Sequence, residues 1–113
     1  VANYLTFAPT FKALKVVFLQ TGKTKSKAVK ALTDDYYQRL RRYIKFESVE
    51  IADLKNTKSL SEEEICRQEG ELILKNLQPT DHLILLDEKG QSYSSLKFAS
   101  HLQKIMNRGV RRM

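Results

Sequence analysis

The chain has 113 residues, 42% of them hydrophobic and 29% charged, with four Gly, two Pro and one Cys. This balance describes one soluble domain and excludes a disordered tail, a collagen-like repeat, a linker and a membrane span of about 18 apolar residues. The net charge of +7 is uneven: residues 1–45 hold ten basic against two acidic residues (+8), residues 46–113 ten against eleven (−1).

Residues 1–10 (VANYLTFAPT) show neither alternation nor helical spacing and lack the charged start and long apolar run of a secretory signal. Residues 1–13 are therefore read as an extension without assigned structure. Residues 14–20 (LKVVFLQ), β-branched and aromatic and stopped by Gly22, predict a buried strand. Residues 26–42 follow at helical spacing, with Val29, Leu32, Tyr36, Leu40 and Tyr43 on the face assigned to the core. Residues 45–51 (KFESVEI) alternate as a less buried, edge-like strand.

Ser61 and Glu64 form a capping box ahead of a helix that packs Ile65, Leu72, Ile73 and Leu77 and ends before Pro79. Gly70 in its middle costs about 1 kcal/mol against Ala and suggests a close contact. Residues 82–87 (HLILLD), the most apolar run, predict a central parallel strand buried on both faces. Ser94 or Ser95 caps a last helix with Ala99, Leu102, Ile105 and Met106 inward, closed by Gly109. A new segment then opens at Val110, so the sheet looks unfinished. The order β-α-β-α-β-α predicts an α/β fold with a parallel or mostly parallel sheet.

The basic excess favours a polyanion, nucleic acid before membrane because no basic amphipathic helix with aromatic anchors is visible; a merely solubilising surface is the alternative. Lys23, Lys25 and Lys27 crowd a βα loop beside a helix N-terminus, either holding an RNA phosphate or standing solvated. Lys30, Arg41 and Arg42 extend that basic set. Gly22-Lys23-Thr24 is not a P-loop, since the earlier glycine position is Val17, inside the strand. Leu86 and Asp87 lie where ligands sit beyond strand ends, or form an ordinary acidic turn. Tyr37 is a better base-stacking candidate than Tyr36, which falls on the core stripe.

His82 and His101 are 19 residues apart without ligand spacing, so no metal site is supported. No nucleophile–base–acid spacing appears either, so the catalytic residue stays unassigned. Cys66, the single cysteine, reads as packed rather than nucleophilic and favours a reducing, cytoplasmic setting.

Three stretches, LKVVFLQTGKTKSK, LSEEEICRQEGELIL and HLILLDEKGQSYSSLKFASHL, together resemble the large-subunit ribosomal RNA pseudouridine methyltransferases of the H type, small bacterial members of the SPOUT superfamily. The resemblance implies a homodimer with a parallel α/β sheet tied in a trefoil knot. It further implies methyl transfer from S-adenosylmethionine, without a metal, to a pseudouridine of ribosomal RNA in the large ribosomal subunit. Residues 14–113 then correspond to the N-terminal portion of one SPOUT-like domain. The glycine-rich cofactor loop, the Ser-containing loop and the knot helix of the family would follow Met113. Of the family's cofactor contacts only the leucine ending the LLD strand carries over, as Leu86, with Asp87 beside it.

The chain as written is therefore expected to bind S-adenosylmethionine poorly and to transfer no methyl. Two other readings stay open: a non-catalytic RNA- or ribosome-binding α/β module, and a structural partner that completes its open sheet with another polypeptide.

Overall fold

Strand β1, Lys15–Thr21, ends where Gly22 takes φ +75° and its N–H donates to the Ile51 carbonyl at 2.7 Å. The positive φ demands glycine there; a Cβ would also meet the Asp53 carboxylate, with Oδ1 at 2.6 Å, but that exposed side chain can turn aside. The computed structural model describes residues 14–113; the extension at 1–13 lies outside the described residues. Helix α1, Lys27–Leu40, starts at Ser26, whose Oγ accepts from the Val29 N–H at 3.3 Å. Strand β2, Lys45–Ile51, then pairs parallel with β1, Lys15 opposite Lys45 and Thr21 opposite Ile51. This is the expected crossover unit, two parallel strands joined by a helix.

Helix α2, Glu62–Lys75, carries half of the capping box. Ser61 Oγ accepts from the Glu64 N–H at 3.2 Å, but the Glu64 carboxylate turns along the helix to Arg67 and to Gln68 Nε2. Hydrogen bonds from Arg67, then from Gln68, lower the Glu64 carboxyl from 4.5 to about 2. A helical row of Ile65, Leu72, Ile73 and Leu77 is half-buried, as expected, while Cys66 is exposed beside Glu62 and Glu63 and is not packed. Gly70 makes no close contact: a Cβ at that position meets nothing within 4 Å. Gly70→Ala therefore removes only the glycine penalty, and should stabilise the chain by about 1 kcal/mol in a urea titration followed by circular dichroism.

Helix α3, Ser95–Asn107, is capped by Ser94, whose Oγ accepts from the Lys97 N–H at 3.2 Å. Tyr93, just before the cap, packs on Phe98 four residues into the helix with ring centroids 6.1 Å apart. This hydrophobic staple fixes how the chain enters the helix. Gly109 at φ +85° closes it, its N–H donating to the Met106 carbonyl at 2.9 Å.

Among the described residues the buried apolar side chains are Leu14, Ile51, Ile105 and Met106, and Leu102 is half-buried; Ala99, expected inward, is exposed. β1, expected to be buried, is half-buried over residues 15–20. On α1 the assigned core stripe is wrong: Val29, Leu32, Tyr36, Leu40 and Tyr43 are exposed, Leu32 by 63%. The helix instead turns Tyr37 onto the sheet, its ring 4.9 Å from Phe46 and 6.1 Å from Phe18. Tyr37 thus meets two aromatic strand residues, and among the described residues no further layer covers the other stripe.

Residues 82–87 do not form the expected buried central strand. Leu83, Leu85 and Leu86 are exposed, and among the described residues the segment makes one backbone bond toward the sheet, from the His82 N–H to the carbonyl of Arg112, which bridges to β1, at 3.1 Å. The position beside β1 is taken by residues 111–113 instead, which bridge in parallel at Lys15 and Arg112. The Lys15 N–H donates to the Arg111 carbonyl, the Met113 N–H to the Lys15 carbonyl, and the Val17 N–H to the Met113 carbonyl, at 2.8 to 2.9 Å. Residues 111–113 thus sit between β1 and His82, which explains why residues 82–87 have no ladder on β1. Asp81, its side chain 6% exposed, pairs with the Arg112 guanidinium and also accepts from the Gln78 N–H at 2.8 Å.

Candidate functional site

The loop between β1 and α1 sits at the carboxyl end of β1, the end at which open α/β sheets bind ligands. Lys23, Lys25 and Lys27 are exposed there, and among the described residues none of the three is in an ion pair. The first turn of α1 adds backbone N–H groups, and its acidic positions are empty. Such a combination can take a phosphate oxygen through the helix dipole and a lysine together.

The rest of the sequence-derived basic set divides. Lys30 is bound to Asp34 at 2.7 Å, and that hydrogen bond raises the ammonium above its ordinary range, so its charge is already partnered. Arg41 and Arg42 stand at the other end of α1, about 20 Å away for a helix of this length. They line an open groove of about 720 Å³ together with Lys15, Tyr43, Lys45 and Glu47. Lys15 is spent on Glu47 at 2.7 Å, and this bond holds the Glu47 carboxyl below its ordinary range. The chain therefore presents two basic clusters flanking α1 rather than one continuous strip.

The stacking candidate changes as well. Tyr37 is committed to Phe18 and Phe46, whereas Tyr36 is 57% exposed and carries the Arg39 guanidinium 5.0 Å from its ring centroid. Sequence spacing misplaced these two because both readings rested on the same wrong core face. Tyr93 and His101, stacked at 5.4 Å, were not singled out from the sequence as a pair. A Tyr directly before a helix cap was the available signal.

Leu86 is 73% exposed and lines the apolar groove between β1 and residues 83–86. Asp87 lies outside that lining; its Oδ1 accepts from the Lys89 N–H at 2.7 Å, and its carbonyl accepts from the Gly90 N–H at 2.9 Å. It orients a turn. The charged pair in the groove, Asp81 and Arg112, is engaged with itself. An adenosine needs donors and acceptors at its ring edge and hydroxyls, whereas the groove that Leu86 lines is chiefly apolar, with Asn76, Asp81, His82 and Arg112 as its polar members. The described residues supply one apolar wall and do not fit S-adenosylmethionine as a complete site. Among the described residues no group of three or more His, Cys, Asp or Glu is placed to hold a metal, and no helix is long and apolar enough to cross a membrane.

A parallel crossover unit with a basic loop at its carboxyl end, followed by further helices and an apolar run, defines an α/β domain. The family described as "Predicted SPOUT methyltransferase" matches residues 14–113, and the chain belongs to that family. It is 49% identical over 98 residues to the ribosomal RNA large subunit methyltransferase H of Flavobacterium psychrophilum, covering 87% of this chain and 62% of that protein. The protein of the same name from Flavobacterium johnsoniae gives the same identity and coverage. That of Porphyromonas gingivalis is 44% identical over 100 residues, covering 88% of this chain and 64% of the relative. The chain thus spans less than two thirds of the length of these curated relatives.

Proposed function

We propose that this chain is the N-terminal, RNA-facing portion of an enzyme that transfers a methyl group from S-adenosylmethionine to a pseudouridine of large-subunit ribosomal RNA. The observation that carries this reading is the 49% identity to proteins named ribosomal RNA large subunit methyltransferase H. The exposed lysines at the N-terminus of α1 suit the polyanion such an enzyme must grip. The substrate is the RNA of the large ribosomal subunit, and the enzyme works as a cytoplasmic homodimer. The sulfonium of S-adenosylmethionine supplies an already electrophilic methyl group, so the protein's share is positioning, desolvation and removal of one ring N–H proton. No residue of the described chain is assigned to that proton.

The test uses methyl-labelled S-adenosylmethionine and purified large ribosomal subunits, with the protein extended to the length of its relatives. Label is expected in the pseudouridine nucleoside after digestion. The 113-residue chain alone is expected to transfer none. Label absent with the extended protein, alongside RNA binding that weakens with salt, would replace this reading by that of a non-catalytic RNA-binding module.

A further inference from the structure

The strands of the crossover unit run parallel and in register, Thr21 opposite Ile51, so the chain leaves both at the same end of the sheet. The Gly22 N–H on the Ile51 carbonyl at 2.7 Å ties the two exits together. The Asp53 carboxylate stands against Gly22, its Oδ1 2.6 Å from the place a Cβ would take, so the two loops touch. Each exit is also ordered in itself. Gln20 Nε2 donates to the Gly22 carbonyl at 3.1 Å and holds the first turn. In the second loop Asn56, a residue that tolerates the left-handed region, takes φ +58° ahead of the short 3-10 turn Thr57–Ser59. The Leu60 N–H closes that turn on the Thr57 carbonyl at 3.0 Å, and Lys58 rides on it.

The first exit carries Lys23, Lys25 and Lys27; the second, residues 52–60, carries Lys55 and Lys58. All five are exposed, and among the described residues none is in an ion pair. Paired strands lie about 4.8 Å apart, so ammonium groups on flexible four-carbon stems from both loops reach one ligand. Asp53 is the single carboxylate in either loop, one acid against five bases. Elsewhere the chain partners its lysines, Lys30 with Asp34 and Lys15 with Glu47. Neither loop has an aromatic side chain on which a base could stack. Leu54 and Leu60 are half-buried, so no large apolar side chain stands out toward a lipid surface. Point charges without stacking or apolar anchors suit a phosphodiester backbone, which repeats its charge whatever the base.

We propose that residues 52–60, through Lys55 and Lys58, are the second wall of a phosphate cradle that holds one RNA strand jointly with Lys23, Lys25 and Lys27. The cradle grips backbone and reads no sequence. Residues 111–113 occupy the other edge of β1, so the RNA crosses the ends of β1 and β2 on the β2 side. The proposal rests on the RNA-facing reading of the chain and adds to it the second loop and the course of the strand.

The probes are dye-labelled oligo-U and oligo-A of about twelve nucleotides, titrated by anisotropy with the full 113-residue chain between 50 and 200 mM salt. Lys55→Ala with Lys58→Ala should make log K against log [salt] shallower by about 1.4 units, the share of two phosphates on a single strand. Over that range the parent should lose about sevenfold more affinity than the variant. Both probes should respond alike, and Lys55→Arg with Lys58→Arg, which keeps the charges, should keep the parent slope. Both side chains are exposed, so circular dichroism should superimpose on the parent. A parent chain that binds neither probe overturns the cradle and the RNA-facing reading together. If the parent binds and alanine at Lys23, Lys25 and Lys27 flattens the slope while the Lys55 and Lys58 pair does not, the cradle alone is overturned. It is overturned equally if one homopolymer responds and the other does not, or if inorganic phosphate at equal phosphate concentration displaces the probes. Phosphatidylserine vesicles that bind the chain where the oligonucleotides do not would put the loops on a membrane surface instead.

Discussion

Arg112→Ala should lower the unfolding midpoint by upward of about 10 °C, the response of a domain of this size to a loss of about 3 kcal/mol. Its guanidinium pairs with Asp81, whose side chain is 6% exposed, and its Nη2 reaches the Asn76 carbonyl at 3.4 Å. Removing the arginine leaves a buried carboxylate holding one backbone hydrogen bond, from Gln78, and an Oδ1 with no partner among the described residues. An uncompensated buried charge costs far more than a surface pair contributes. The pair also ties the turn before residue 82 to the segment beside β1, so its loss loosens both walls of the groove. Adding Asp81→Asn to the variant removes the stranded charge and should recover part of the midpoint. Thermal melts by circular dichroism decide it: a midpoint for Arg112→Ala within about 2 °C of the parent would reduce the pair to a surface contact.

Local chemistry made the element boundaries legible. Ser26, Ser61 and Ser94 each accept from the N–H three residues on, and β2 spans the residues that its alternation gave. Faces were less legible than boundaries. On α1 the apolar stripe from Val29 to Tyr43 is real as a pattern, but Tyr37 has two aromatic strand neighbours and the stripe has none. Periodicity reports which residues are apolar; it does not report which row finds a partner. For residues 82–87 an apolar run was read as burial, yet burial of a central strand needs neighbours on both edges. Here, among the described residues, the backbone of that run meets Arg112 alone. Asp81 and Arg112 are 31 positions apart, and no local pattern could join them. The basic asymmetry was legible as charge, whereas its division into a lysine loop and an arginine end depended on Asp34 and Glu47 taking Lys30 and Lys15.

The lysine loop carries the second large effect. The triple variant Lys23→Ala, Lys25→Ala, Lys27→Ala should bind a large-subunit rRNA transcript with a salt dependence shallower by about two units in log K against log [salt]. The expected slope is about −0.7 per neutralised phosphate on single-stranded RNA, so removing three phosphate-binding ammonium groups produces that change. Between 50 and 200 mM salt, a fourfold change, the parent should therefore lose about twentyfold more affinity than the variant does. Arg41→Ala with Arg42→Ala removes two charges at the far end of α1 and predicts a smaller change, about 1.4 units, if that end reaches phosphate as well. Lys30→Ala should barely change the slope, because Asp34 already neutralises that ammonium. Each replaced side chain is exposed, so the fold should persist and circular dichroism should superimpose on the parent. The slopes locate the RNA: a change confined to the lysine triple puts it at the carboxyl end of β1, and one confined to Arg41 and Arg42 puts it at the 720 Å³ groove. If neither slope moves, the basic excess is a solubilising surface and the RNA-facing assignment of this chain fails.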